Sequence, residues 1–145
     1  MIRYNRRMSM RDKVHHHVVN ALKKDGWTIT NDPLRVVWKT RNLQIDLGAE
    51  RFLAAEKGTE KIAVEIKSFL GSNDLDDLYH AIGQYILYRR ALRDTEPDRP
   101  LFLAINEETF RLEFGDVEGE SLRAEENIRL LVFNQRTEEI VLWKQ

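Results

Sequence analysis

The 145-residue chain contains no cysteine, and this absence excludes several kinds of chemistry. Disulfide bridges, thiolate nucleophiles and cysteine-ligated zinc or iron–sulfur sites all need a residue type that the chain lacks. A chain without disulfides is compatible with a reducing compartment, so we expect a cytoplasmic protein. No apolar run approaches the ~20 residues of a transmembrane helix, and no apolar segment follows the charged start MIRYNRRMSMRDK. We therefore expect neither secretion nor a membrane span.

The chain also has little net charge. Its 23 lysine and arginine residues nearly balance its 24 acidic residues, which leaves a formal net charge of −1. Such a chain has no bulk attraction for a polyanion, so any contact with DNA must come from local basic clusters. We find no internal repeat, low-complexity segment or linker. The sequence therefore predicts a single domain over residues 10–145, preceded by a basic arm over residues 1–9.

Apolar residues at helical spacing predict an amphipathic first helix over residues 10–25. Its apolar stripe consists of Val14, Val18, Ala21 and Leu22. Ser9 and Asp12 have the spacing of a capping box, and Gly26 ends the run. His15, His16 and His17 lie inside this helix. Three consecutive residues do not share one helix face, so we interpret them as surface histidines rather than metal ligands.

Extended segments dominate the next part of the chain. WTITNDPLRVVW predicts two short strands around an Asn-Asp-Pro turn. NLQIDLGAERFLAAEKGTEKIAVEIKSF predicts a long β-hairpin in the middle of the sheet, turning at Lys57-Gly58-Thr59. A helix is then expected from about Asp74 to Arg93, capped by Ser72 or Asn73. Its expected core stripe is Leu75, Leu78, Ile82, Tyr85, Ile86 and Leu92.

The C-terminal third predicts a buried strand and a closing hairpin. LFLAI is a continuous apolar run typical of a strand covered on both faces, and NEETFRLEF predicts a short helix capped by Asn106. NIRLLVF and EIVLW predict the terminal hairpin. Its edge is a candidate homodimer contact, unless Trp143 and its neighbours belong to the core. The order of elements predicts an α/β fold with a mixed central β-sheet flanked by helices.

The strand KIAVEIKSF carries the candidate chemistry. Side chains alternate along a strand, so Glu65 and Lys67 share the face opposite Ile62, Val64 and Ile66. The preceding strand supplies the acids Asp46 and Glu50. Carboxylates are the ligands that Mg²⁺ or Mn²⁺ prefers, and a lysine beside them suits phosphate chemistry. The alternative is a solvated strand face with an ordinary ion pair.

Strand register leaves the second acid open. With the expected turn, Glu65 lies opposite Phe52, and Asp46 is then roughly 20 Å further along the strand. Either a bulge or bend at Gly48 brings Asp46 back to Glu65, or Glu50 is the second metal ligand.

Asp46 followed by Glu65-Ile66-Lys67 resembles the D…(D/E)xK site of the restriction-endonuclease-like, PD-(D/E)XK nuclease superfamily. Gln84 and Tyr88 in GQYILYR are similar to the Q-x-x-x-Y feature of its RecB-like branch. The resemblance implies that Asp46, Glu65 and the Ile66 carbonyl bind Mg²⁺ or Mn²⁺ and that Lys67 positions water. It further implies that Gln84 and Tyr88 support the site or contact nucleic acid.

Four segments together resemble one family within this superfamily. They are DKVHHHVVNALKKDGWTITNDPL, IDLGAERFLAAEKGTEKIAVEIKSFLG, AIGQYILYR and EPDRPLFLAI. The chain is identified from them as a member of the XisH family of fdxN element excision controlling factors, known from cyanobacteria. The resemblance implies a restriction-endonuclease-like fold and a role in excising a DNA element, together with a XisI-like partner protein and a site-specific recombinase. It implies no particular activity, and an accessory, non-catalytic factor is the alternative.

Two further features bear on this interpretation. Arg89, with Arg90 and Arg93, forms a basic cluster near the end of the second long helix and is a candidate DNA contact. The alternative is favourable placement of cations at a helix C-terminus. Many nucleases of the superfamily also offer an acid from the first helix, where this chain has only Asp12 and His15 as candidates.

Overall fold

The computed structural model describes residues 9–69 and 75–145. Within these ranges the chain forms four helices and eight strands. The helices are α1 (Met10–Lys24), α2 (Leu75–Thr95), α3 (Glu107–Phe114) and α4 (Val117–Glu125). The strands are β1 (Thr28–Asn31), β2 (Leu34–Trp38), β3 (Arg41–Ile45), β4 (Leu47–Ala54), β5 (Gly58–Ile66), β6 (Leu101–Asn106), β7 (Leu130–Asn134) and β8 (Glu139–Lys144). The expected arm, apart from Ser9, and the expected caps Ser72 and Asn73 lie outside the described residues.

Six strands form one mixed sheet in the order β1-β4-β5-β6-β7-β8, and β2 and β3 form a separate two-stranded sheet. The strands β5, β6 and β7 are parallel, because α2 and the pair α3–α4 provide the crossovers between them. The outer strands β4, β1 and β8 run antiparallel to their neighbours. The predicted α/β class with a mixed central sheet is confirmed.

The sheet separates two hydrophobic cores, and β5 contributes to both because its side chains alternate. Ile62 and Val64 pack with α1, whereas Ala63 faces α2. The α1 core contains Val14, Val18, Ala21, Leu22, Leu47, Phe102 and Phe133. The α2 core contains Tyr85, Leu92, Leu101, Leu103, Ile105, Phe114 and Val132, with the β2–β3 sheet packed against it. The face of β5 that carries Ile62 and Val64 is therefore apolar, and the opposite face carries Glu65 toward α2.

The register expected for the β4–β5 hairpin is wrong, and the correction moves the candidate acids. The turn occupies residues 55–57, and Gly58 already pairs with Ala54 as the first residue of β5. Gly58 has a φ of 68°, a left-handed conformation that starts the return strand early. Thr59, not Glu65, lies opposite Phe52.

The segment that was expected to be one strand bends at Asp46, between β3 and β4. Ile45 and Leu47 would share a face in a straight strand, yet they are buried in opposite cores. Leu47 pairs with Val64, so Asp46 stands beside Glu65. The bend thus occurs two residues before Gly48, the position considered from the sequence.

The helices differ from expectation in the core face of α2 and in the presence of α4. The α2 side chains Leu75 and Ile86, expected in the core, are 57% and 41% exposed. Tyr88, Ala81 and Ala91 are buried instead, because the core-facing stripe is rotated relative to the most apolar positions. Helix α4 was not predicted.

The caps of α1 and α3 are confirmed: Ser9 Oγ accepts from the Asp12 amide at 3.1 Å, and Asn106 Oδ1 accepts from the Thr109 amide at 2.8 Å.

Trp143 on β8 packs into the α1 core. The centroids of its ring and of the Phe102 ring are 4.9 Å apart in an edge-on arrangement. The strand β8 is nevertheless an end of the six-stranded sheet. Pairing of two copies along this edge stays a prediction. No helix in the described ranges combines the length and apolar character needed to cross a membrane.

Candidate functional site

Two hydrogen bonds tie Asp46 to the end of β5, one to the Glu65 side chain and one from the Ile66 backbone. The Asp46 amide donates to Glu65 Oε1 at 3.2 Å, and the Ile66 amide donates to Asp46 Oδ2 at 2.8 Å. The backbone bend at Asp46 makes both contacts possible. Glu65 is 3% exposed, so its carboxyl group is held in the protein interior.

The backbone of β5 also orients Ile66 and Lys67. The N–H and C=O of one strand residue point to the same side, so the Ile66 carbonyl faces the side on which Asp46 lies. The Lys67 amide points the other way and donates to the Ala104 carbonyl of β6 at 3.0 Å. The Lys67 side chain shares the face of Glu65, and its Nζ lies 3.5 Å from Glu65 Oε2.

The environment of Glu65 disfavours its negative charge. The pKa of Glu65 is raised from 4.5 to about 8, first by burial and next by the neighbouring Asp46 carboxylate. Lys67 and the Asp46 amide act in the opposite direction, but they offset only part of the rise. Two negative charges on Asp46 and Glu65 are therefore unfavourable together, and a bound cation would stabilise them.

Helix α2 covers this pair with Gln84 and Tyr88. Gln84 Nε2 donates to the Tyr88 hydroxyl at 3.2 Å. The pKa of Tyr88 is raised by burial and then by the charges of Glu65 and Asp46, because the hydroxyl lies in the field of both carboxylates. Gln84 Oε1 is buried and has no hydrogen-bond partner among the described residues. A buried amide oxygen without a partner is costly unless something else contacts it.

A cleft of about 250 Å³ opens beside the site, and it contains residues that the sequence analysis did not select. Arg11, Ser68, Asp77 and His80 line it together with Lys67 and Gln84. Arg11 Nη2 lies 3.9 Å from Asp46 Oδ1. Helical spacing was a usable signal for His80, because it lies four residues before Gln84 on the same helix.

Other candidate acids lie apart from the pair. Glu50 is opposite Lys61 on β5, and its carboxylate is 3.8 Å from the Lys61 ammonium and 4.0 Å from a guanidinium nitrogen of Arg99. It is four residues from Asp46, about 13 Å along a strand. Glu50 is thus not brought together with Glu65.

Several polar residues at and near the start of α1 have structural partners. Besides accepting from the Asp12 amide as the cap, Ser9 Oγ donates to Asp12 Oδ2 at 2.8 Å. His15 pairs with Asp32 at 3.0 Å, and His17 with Glu138 at 3.1 Å. Asp12 is therefore engaged in the helix cap. His15 pairs with Asp32, but it also lines a small cavity together with Arg11 and Asp46, so it lies beside the site.

Arg89 lies on a different surface. Its guanidinium donates to the carbonyls of Glu126 and Asn127 at 2.9 and 3.0 Å and stacks over Tyr85. It lines a cavity separate from the one that Lys67 and Gln84 line. The DNA contact assigned to Arg89 stays a prediction.

The oxygen donors of the acid pair are of the kind that Mg²⁺ and Mn²⁺ bind. Such ions take oxygen ligands and commonly bind through one or two carboxylates plus a substrate phosphate. Residues 9–69 and 75–145 contain no group of three or more His, Cys, Asp or Glu side chains arranged to hold a metal. The available oxygens are those of Asp46 and Glu65, the Ile66 carbonyl and the unpartnered Gln84 Oε1.

Fold and site together define a class: a mixed α/β protein with a partly buried pair of acidic side chains and a lysine where a central strand ends. The chain belongs to the XisH family, whose sequence model, described as XisH protein, matches residues 8–141. A search of curated proteins found no match.

Two crystal structures resemble the chain closely. One is an XisH family protein from Nostoc punctiforme PCC 73102, with 39% identity and a TM-score of 0.82, covering 92% of this chain and all of its own. The other is a fdxN element excision controlling factor protein from Anabaena variabilis, with 40% identity and a TM-score of 0.83, covering 93% of this chain and all of its own. The family expected from the sequence is confirmed.

Proposed function

We propose that this protein is a DNA-processing factor in the programmed excision of a chromosomal element and hydrolyses phosphodiester bonds with Mg²⁺ or Mn²⁺. The first part rests on the relative described as a fdxN element excision controlling factor. The second rests on one observation: Asp46, Glu65 and Lys67 converge at a strand end beside an open cleft. A restriction-endonuclease-like classification of the fold belongs to the same proposal.

In this proposal Asp46 and Glu65, with the Ile66 carbonyl, hold the metal ion. The bound ion supplies Lewis-acid stabilisation of charge on the phosphate and on the leaving oxygen. The hydrogen bonds from the Asp46 and Ile66 amides fix both carboxyl groups before any ligand arrives. Holding the ligands in place beforehand reduces the reorganisation needed when substrate binds.

The remaining side chains bind and orient the substrate. Lys67 is a cation at the mouth of the cleft, where it donates to the attacking water or to a phosphate oxygen. Gln84 accepts from that water through its unpartnered Oε1, while Tyr88 anchors its amide group. Arg11 at the rim adds a second positive charge for the nucleic-acid backbone.

The test is cleavage of single-stranded, duplex and branched DNA with Mg²⁺ or Mn²⁺. We expect cutting by the wild type and its loss in Lys67→Ala and Glu65→Ala. Lys61→Ala is the matched control, because Lys61 lies on the same strand and pairs with Glu50 outside the cleft. The hydrolytic proposal is abandoned if the wild type, alone and co-expressed with a XisI-like partner, cuts none of these substrates. It is equally abandoned if all variants cut alike.

One observation favours a second function, that of a non-catalytic accessory factor. Without a metal, a Glu65 pKa of about 8 favours the protonated, neutral form at neutral pH. The residue then acts as a hydrogen-bonding link between β4 and β5. A protein of this kind binds DNA or a partner protein and regulates a site-specific recombinase. Titration with Mg²⁺ and Mn²⁺ separates the two functions, because a saturable site lost in Glu65→Gln is expected only for the hydrolase.

A further inference from the structure

A second cavity, of about 350 Å³, lies at the opposite end of α2 from the candidate active site. It is bounded by the C-terminal turns of α2 and by the segments that precede β6 and β7. Four arginines line it: Arg89, Arg93, Arg99 and Arg129. Glu96 is the single acid among its lining residues in the described part of the chain, so the lining carries a clear excess of positive charge.

Two of the arginines form a fixed part of the wall. Arg99 is 6% exposed, and it donates to the Ile62 carbonyl at 3.0 Å and to Glu96 Oε1 at 3.3 Å. Arg89 is held by the carbonyls of Glu126 and Asn127. The backbone carbonyls orient the Arg89 guanidinium without neutralising its charge, whereas the Arg99 guanidinium is paired with Glu96 and, at 4.0 Å, with Glu50.

The other two arginines have no such engagement. In residues 9–69 and 75–145, neither Arg93 nor Arg129 has a carboxylate within ion-pairing distance. The backbone of Arg129 is nevertheless fixed, because its amide donates to the buried Tyr85 hydroxyl at 2.9 Å. In the described residues, the cavity thus combines two oriented arginines in its wall with two lining arginines that have no carboxylate partner.

We propose that this cavity binds a phosphate group. A phosphate monoester carries a charge near −2 and several acceptor oxygens, so one group can be shared by several guanidinium forks. A single carboxylate has one charge and two oxygens and would leave most of this charge excess unmatched. The volume suits a small phosphorylated ligand. The phosphate belongs either to the end of a nucleic-acid strand or to a free small molecule.

This site is independent of the proposed hydrolysis. It lies at the amino end of β6, whereas Glu65 and Lys67 lie at the carboxyl end of β5. Phosphate binding here requires no metal ion. Loss of one site therefore leaves the other testable, and failure of either proposal is recognised separately.

The first experiment is calorimetric titration of the full chain with inorganic pyrophosphate in metal-free buffer. Replacing both free arginines, in Arg93→Gln/Arg129→Gln, is expected to weaken binding by about tenfold or more, because charge-assisted hydrogen bonds are lost. The double variant Arg35→Gln/Arg136→Gln removes the same charge from exposed positions outside the cavity, and we expect its affinity to stay within about twofold of wild type. The proposal is overturned if the wild type does not bind pyrophosphate or if both double variants lose affinity equally.

Competition then identifies the source of the phosphate. Two single-stranded oligonucleotides of one sequence, with a 5′-phosphate or a 5′-hydroxyl, are added to the pyrophosphate complex. Stronger displacement by the phosphorylated strand supports a nucleic-acid end as ligand. If neither strand displaces pyrophosphate, the site takes small phosphorylated molecules.

Discussion

At the scale of single residues, the candidate active site depends on how Glu65 is charged. Its carboxyl group is buried and lies near the Asp46 carboxylate, and Lys67 is the one ammonium beside it in the described part of the chain. Burial is the largest cause of its raised pKa, and Asp46 is the next. The folded protein therefore holds the Glu65 proton more tightly than the unfolded chain does, and this difference links the site to stability.

Glu65→Gln is expected to stabilise the metal-free protein at alkaline pH. Because the pKa of Glu65 rises from 4.5 to about 8 on folding, its contribution to stability is complete below pH 4.5 and is lost as the pH rises through about 8. Glutamine is neutral throughout and avoids this loss. Thermal melts from pH 4 to pH 9 with a chelator are expected to show the variant gaining on wild type with rising pH.

The matched control for this prediction is Glu60→Gln. Glu60 lies on the same strand, at the far end, and pairs with Arg51 at 2.9 Å. This variant still contains Glu65, so it is expected to keep the alkaline loss of stability. A constant difference between wild type and Glu65→Gln at all pH values would show that the buried carboxyl group does not titrate as argued.

Sequence alone was sufficient for part of the site because strand alternation is a local property. It predicted that Glu65 and Lys67 share a face, and their charged groups are 3.5 Å apart. The position of Arg11 beside Asp46 depends on how α1 lies across the sheet, which no local pattern specifies. The exclusion of Glu50 depends on strand register, and register follows from a turn that the sequence analysis placed too late.

At the scale of elements, the buried side chain of Tyr85 links α2 to the sheet by hydrogen bonds. The Tyr85 hydroxyl donates to the Leu101 carbonyl and accepts from the Arg129 amide, both at 2.9 Å. The side chain is fully buried, so neither backbone group has water as a substitute. This contact fixes the helix that carries Gln84 and Tyr88 relative to β6 and β7.

Tyr85→Phe is therefore expected to lower the free energy of unfolding by about 1–3 kcal/mol, because it leaves a buried donor and a buried acceptor unpaired. Denaturant unfolding followed by circular dichroism measures this change. The control is Tyr79→Phe on the same helix, where the side chain is 64% exposed and the expected change is below about 0.5 kcal/mol. Equal effects at the two positions would contradict the anchoring role of Tyr85.

Helix α4 shows why an element escaped prediction. Gly119 lies inside it and weakens its helical signal. The residue is there because the helix passes close to the end of α3: a Cβ at Gly119 would stand 2.7 Å from the Phe114 Cα and would also clash with the Glu113 carbonyl oxygen. Tertiary packing thus requires a residue that local propensity disfavours, and a single sequence does not reveal such a requirement.

Gly119→Ala is expected to destabilise the protein by about 1–3 kcal/mol, although alanine is the better helix former. Gly83→Ala on α2 is the matched control, since a Cβ there meets no atom within 4 Å. This second substitution is expected to stabilise the protein by about 0.5–1 kcal/mol. Chemical denaturation of both variants tests the argument, and a stabilising Gly119→Ala would refute the close approach of α3 and α4.

At the scale of the whole molecule, the proposed metal binding would be coupled to folding, because Asp46 and Glu65 come from two separate segments that part on unfolding. An ion that binds only the folded state stabilises it, by about 2.7 kcal/mol at a hundred times its Kd. Binding also requires Glu65 to lose its proton, so affinity is expected to increase as the pH rises toward and beyond about 8. The metal-free protein has the opposite trend, since it loses stability over that range.

Mn²⁺ is accordingly expected to raise the Tm of the wild type, with a larger rise at pH 8.5 than at pH 6. Glu65→Gln and Asp46→Asn are expected to lose this rise, because each removes a charged ligand from the pair. Glu50→Gln is the matched control: its carboxylate contacts Lys61 and Arg99 instead, so this variant is expected to retain the effect. Loss of the Mn²⁺ effect in Glu50→Gln, with retention in Glu65→Gln, would assign the metal to the other acid and overturn the site proposed from the β4–β5 register.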